Sequence, residues 1–244
     1  MSTTYLTGSY GAFDITGPIM VGPSSSHTAG AARLGKMARI LAHDSVKEVT
    51  FQLFGSFAQT YKGHGTDKAL LAGVLGFDPW DLRLKDSFRI AEETGVSFTF
   101  QPVTQPTEEG WENYHPNTVR FLITTKSGEP FDIVGCSVGG GKVRIISLNG
   151  ILVNFTGESP ILVTRHYDGP GIIAAIASIL YQNQINIGNM RVDRKRHSTT
   201  ADMYLELDSD VDEQAVAEIK KIPGMLNVIL LKRVDESHAL DTIE

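Results

Sequence analysis

The chain has 244 residues, 41% of them hydrophobic and 20% charged, with a formal net charge of −6. This is the balance of a globular protein rather than a disordered or fibrous one, and the length admits one large domain or two ordinary ones. Acidic residues spread along the chain argue against a nucleic-acid partner, which calls for clustered basic charge, and no apolar run approaches the roughly eighteen residues that span a bilayer.

Residues 1–10 lack the basic flank and apolar core of a signal peptide. The single cysteine, Cys136, cannot form an internal disulfide, which fits a reducing cytoplasm. One thiol also cannot by itself ligate an iron–sulfur cluster or a structural zinc, so any cluster the protein uses has to come from another polypeptide.

In chain order, the strand-like stretch Ile19-Met20-Val21 comes first. Helical patterns lie near 29–41, 67–75 and 86–93, and strand-like runs near 46–54, 96–103, 119–125, 131–138, 143–148 and 151–155. The polar segment from Pro106 to Asn117 reads as a loop or a partner contact. Thr156-Gly157-Glu158-Ser159-Pro160 interrupts regular structure and marks a domain boundary. Beyond it come a strand at 161–167, the turn Asp168-Gly169-Pro170-Gly171, and a helix at 172–181. Strands at 187–192 and 201–207 follow, then a helix capped by Asp212 and ended at Pro223-Gly224, and a last strand at 226–234. The order βαββαβ is the ferredoxin-like, split βαβ arrangement. The basic run 191–196 with His197 reads as a solvated hairpin. The fold class is α+β: an N-terminal mixed α/β-sandwich-like domain plus this C-terminal unit.

Two segments place reactive side chains just before a helix. In Gly22-Pro23-Ser24-Ser25-Ser26-His27-Thr28-Ala29-Gly30, unpaired N–H groups and four hydroxyls make an anion site fit for a carboxylate or phosphate. The plainer reading is that the serines only cap the helix, though three exceed what one cap requires, and His27 brings acid–base chemistry. In Gly63-His64-Gly65-Thr66-Asp67, which follows the loop Gly55-Ser56-Phe57, Thr66 or Asp67 can cap the next helix, while the glycines let a ligand approach and leave His64 exposed. On its own this is as well read as a glycine-rich turn; together, the two segments look like two walls of one cleft. Gly139-Gly140-Gly141-Lys142 fails as a phosphate loop, because Cys136 and Val143 stand at required positions. Cys136 reads as a packing residue. Asn149-Gly150 reads as a hairpin turn, with Asn149 also able to face a ligand. His43, His115, His166, His197 and His238 read as surface or core residues.

The segment from Phe13 through Gly30 and the string Gly-His-Gly-Thr-Asp resemble the two signatures of the iron–sulfur-dependent L-serine dehydratases. The chain is similar to the β subunit of the two-chain form, with a C-terminal ACT domain. The resemblance implies a serine dehydratase β domain at 1–157, an ACT domain at 160–235 and a tail at 236–244. It implies a separate α subunit carrying a [4Fe–4S] cluster, whose open iron acts as a Lewis acid on the hydroxyl of L-serine. The products would be pyruvate and ammonia. It further implies that Ser24, Ser25, Ser26, Thr28 and His27 hold and orient the substrate, and that His64 removes the α-proton with support from Thr66 and Asp67. Which of the two histidines is the base stays open. Asp168, Gly169, Pro170 and Gly171 correspond to the amino-acid effector loop of ACT domains, which also associate as homodimers. The alternatives are a non-enzymatic amino-acid sensor and, more weakly, a self-sufficient serine hydrolase.

Overall fold

The computed structural model describes residues 20–42, 44–103, 114–194 and 198–233. The expectations for Ile19, His43, His197, His238, most of the segment after Pro106 and the tail fall outside these residues. The chain divides into two compact units, Met1–Arg144 and Ile145–Glu244.

In the first unit a π-helical turn, Ser25–Ala29, runs straight into helix α1, Gly30–Ala42. Strand β1, Val46–Leu53, leads to the short helix α2, Gly55–Thr60, then α3, Thr66–Val74. A 3-10 turn at Leu82–Asp86 precedes α4, Ser87–Thr94. Strands β2 (Ser97–Pro102), β3 (Thr118–Thr125) and β4 (Pro130–Gly139) follow. Their order is β2-β1-β3-β4. β1 and β2 run parallel because three helices bridge them, whereas β1–β3 and β3–β4 are antiparallel. Alternation puts Val49, Phe51 and Leu53 of β1 on one wholly buried face with Phe121 of β3. Leu34 of α1 and Leu70 and Leu71 of α3 are equally buried.

Helices α1 and α3 meet backbone to backbone. A Cβ added at Gly35 would lie 2.2 Å from the Leu70 carbonyl oxygen, and one at Gly73 would lie 2.0 Å from that of Ala32. Only glycine permits this approach. Thr28 before α1 also touches His64 before α3, so both helices run away from a common end. The close crossing brings the two histidine-bearing segments together.

Two sequence expectations need correction. Met20 and Val21 are not a strand; Val21 lies in a bend and donates its N–H to the Pro79 carbonyl at 2.8 Å. Residues 55–57, read as a loop, begin helix α2.

Strand β5 (Lys142–Leu148) crosses the division between the units. It pairs with β6 (Ile151–Phe155) through a turn in which Asn149 and Gly150 both have positive φ, 50° and 75°; this is the expected hairpin. The second unit continues with β7 (Ile161–Tyr167), α5 (Ile172–Gln182), β8 (Ile187–Arg194), β9 (Thr200–Leu207), α6 (Glu213–Lys220) and β10 (Met225–Leu231). The sheet order β10-β7-β9-β8, with every pair antiparallel, is that of the ferredoxin-like fold. Leu162, Ile176, Leu180, Met203, Leu205 and Ile219 form the core between the helices and the sheet. Asp212 caps α6 as expected, its carboxylate accepting from the Ala215 N–H at 2.7 Å.

Candidate active site

His27 and His64 are neighbours. Their ring centroids lie 4.9 Å apart with the planes at 79°. Each surrounding residue of the two segments has a definite place. The Ser24 hydroxyl accepts from the His27 N–H at 3.0 Å and so caps the π turn. Ser26 Oγ lies 3.1 Å from His27 Nδ1. Thr28, 2% exposed, donates its hydroxyl to the His64 carbonyl at 3.2 Å and ties the two segments to each other. The start of the turn leaves the N–H groups of Ser25 and Ser26 without helical acceptors, the usual condition for holding an anion. A π turn in place of an α-helical one is itself uncommon and recurs at functional sites.

The second segment differs from expectation at its cap. Neither Thr66 nor Asp67 caps α3; Gly65 does, in the left-handed conformation with φ 66°. Thr66 is fully buried, and its hydroxyl has no hydrogen-bond partner among the described residues. The Asp67 carboxylate accepts from the Lys68 N–H at 2.8 Å, and burial raises its pKa against that hydrogen bond. His64 is exposed, as expected, and among the described residues no hydrogen bond engages its ring.

Two residues not expected at the site belong to it. Ser56 Oγ lies 3.0 Å from His27 Nε2. Phe57 meets the His27 ring edge-on, at 5.3 Å and 74°. Both come from α2, 29 and 30 positions along the chain, a contact that only the fold creates. Burial lowers the His27 pKa below its usual 6.5, and the charge of His64 lowers it further.

Cys136 is buried in β4 with its pKa raised by desolvation, as a packing thiol should be. His115 Nδ1 accepts from the Asn117 N–H at 3.1 Å, and His166 is buried in β7 near Thr164. Among the described residues no three His, Cys, Asp or Glu side chains are grouped to hold a metal ion, and no helix is long and apolar enough to cross a membrane. Asn149 belongs to the second unit, at the β5–β6 turn.

In the second unit, Asp168, Gly169, Pro170 and Gly171 line a cavity of about 410 Å³ together with Ile173 and Arg194. Gly171 caps α5 with φ 96°. Arg194 forms an ion pair with Asp168 at 3.2 Å. Arg191–Arg194 lie on β8, paired antiparallel with β9 as expected of a solvated hairpin, and Arg194, exposed there, also lines this cavity.

The first unit thus carries a paired-histidine site on a mixed α/β scaffold, and the second is a ferredoxin-like unit with a cavity at its first strand–helix loop. The family model described as "Serine dehydratase beta chain" matches residues 12–145, and that of the ACT domain matches residues 161–224. The chain belongs to the serine dehydratase β chain family. A "Probable L-serine dehydratase, beta chain" of Bacillus subtilis (strain 168) is 42% identical over 216 residues, 88% of this chain and 95% of that one. The "L-serine dehydratase, beta chain" of Peptoniphilus asaccharolyticus is 38% identical over 210 residues, 86% and 92% of the two chains. A D-3-phosphoglycerate dehydrogenase of Bacillus subtilis (strain 168) is 27% identical over 203 residues, which are 82% of this chain but 37% of that one.

Proposed function

We propose that this chain is the β subunit of a cytoplasmic L-serine dehydratase, a lyase that turns L-serine into pyruvate and ammonia only when paired with an α subunit. The juxtaposition of His27 and His64, 4.9 Å between ring centroids, carries the reading. One imidazole opens to solvent and the other is locked in place, so a substrate can be gripped beside a group free to take its proton.

In this reading the serine carboxylate lies at the N–H groups and hydroxyls of Ser24, Ser25 and Ser26, with Thr28 holding the wall. His64 takes the α-proton; an imidazole does this best near neutral pH. Thr66 and Asp67 support the His64 turn. The functional domains follow the boundaries 1–157 and 160–235, with 236–244 as a tail.

The chain's own residues do not fit a [4Fe–4S] cluster. Its one thiol is buried and held protonated, where a cluster needs several thiolates. We therefore assign the cluster to the α subunit.

In the second unit the Asp168–Gly171 loop takes an amino-acid effector. Arg194 and Asp168 offer one charge each, which suits the carboxylate and ammonium of a zwitterion. Homo-association through this unit accompanies binding. Anaerobic reconstitution with the α subunit, followed by pyruvate formation from L-serine, tests the reading; a fully assembled complex that yields no pyruvate contradicts it.

A further inference from the structure

Resting on the dehydratase reading, we propose that Ser56 is a positioning residue for the reaction, acting through His27: its hydroxyl and that of Ser26 clamp the two ring nitrogens and fix one ring orientation. Ser26 Oγ stands 3.1 Å from Nδ1 and Ser56 Oγ 3.0 Å from Nε2. Ser24 holds the backbone N–H of the same residue, and Phe57 closes over the ring edge. His27 therefore has no freedom left in ring or backbone.

The clamp is itself held firmly. Gly55 opens α2 with φ 53°, where a Cβ would meet the Pro116 carbonyl oxygen at 2.6 Å. Phe57, the next residue but one, is wholly buried. Thr60 Oγ1 donates to the Ser56 carbonyl at 2.8 Å. Ser56 is thus set between a forced turn and a buried anchor, with its hydroxyl aimed at His27.

Two hydroxyls suit a neutral imidazole in particular. A neutral ring donates from one nitrogen and accepts at the other, and a hydroxyl can serve either need. A protonated ring would donate from both and draw its stability from a carboxylate, and the one charge found to act on His27 is that of His64. The division of labour follows. His27 stays neutral as a fixed wall of the site, and His64 is the group that changes protonation. Nothing in the sequence points to this, because Ser56 lies 29 residues from His27.

The test has two arms. In the first, 15N spectra of the histidine side chains are recorded on the full chain across the pH range. The unaltered chain should show His27 neutral at neutral pH with both ring nitrogens hydrogen-bonded. In Ser56→Ala the Nε2 signal should shift as its hydrogen bond to Ser56 is lost, and the His27 titration should move up toward 6.5 as water reaches Nε2. A His27 signal identical in the two chains overturns the clamp. In the second arm, the complex with the α subunit is assayed on L-serine. Ser56→Ala should lower kcat about tenfold, the worth of one hydrogen bond, with KM nearly unchanged and the acid limb of the pH profile moved to higher pH. Ser56→Thr, which keeps the hydroxyl, should restore both. Unchanged kcat in Ser56→Ala overturns the positioning role even where the His27 signal shifts. An unaltered complex inactive on L-serine removes the dehydratase reading and the positioning role with it, and is told apart because the first arm still shows the clamp.

Discussion

Replacing Gly73 with alanine tests the packing that builds the site. A Cβ there would stand 2.0 Å from the Ala32 carbonyl oxygen and 2.6 Å from the Lys36 nitrogen, both backbone atoms that no rotamer change can clear. Ordinary contact begins near 3.4 Å, so α1 and α3 must part by roughly 1.4 Å. Overpacking of this kind costs about 1–3 kcal/mol, and backbone neighbours on two sides place it at the upper end. At about 3 °C per kcal/mol, the melting temperature should fall by about 6–9 °C. The same separation pulls His64 from His27, and a displacement near 1 Å lowers turnover up to about a hundredfold. Gly95→Ala serves as the control: its φ of 71° brings strain, but a Cβ there meets nothing within 4 Å, so about 1 kcal/mol is lost and turnover is kept. Thermal unfolding of both variants, with pyruvate assays of their complexes, reads out the two effects. A Gly73→Ala chain as stable as the unaltered one would refute the claim that glycine contact sets the helix crossing.

Further expectations follow from the titrating groups and the second unit. His27, His115 and His166 all have pKa values lowered from 6.5, in each case first by burial. The unfolded chain therefore binds more protons below that value. Their stabilising contribution is complete above about pH 6.5 and is lost as the pH falls through the folded values. The urea midpoint should accordingly drop between about pH 7.5 and 5.5, and a flat profile would contradict the burial of the three rings. Gly171→Val places a β-branched residue at φ 96° beside the cavity, and calorimetry should show effector binding lost, with L-serine as the probe. Arg194→Ala removes the partner of Asp168 and should weaken the same binding about tenfold, by the loss of one charge-assisted hydrogen bond; binding at full strength in both variants would move the effector elsewhere.

Much of this was legible in the sequence because it is carried by local patterning. The alternation of β1 and the apolar spacing of α5 follow from period alone, and Asp212 caps where a cap residue stands before an apolar stripe. Helix α2 was not legible: six residues with a glycine in front make too short a pattern to separate from a loop. The cap of α3 was misread because Gly65 takes a left-handed φ, a backbone choice that the neighbouring Thr66 and Asp67 conceal. Both histidine segments could be named from their own residues. Ser56, Phe57 and Arg194 could not, since each reaches its partner only after distant strands and helices have packed.

The most direct measurement is L-serine deamination by the anaerobically reconstituted complex carrying His64→Ala. Pyruvate formation should fall by about 10²–10⁴-fold, the usual worth of a general base, while the two subunits still co-purify. A variant complex that turns over L-serine at the unaltered rate would contradict the account.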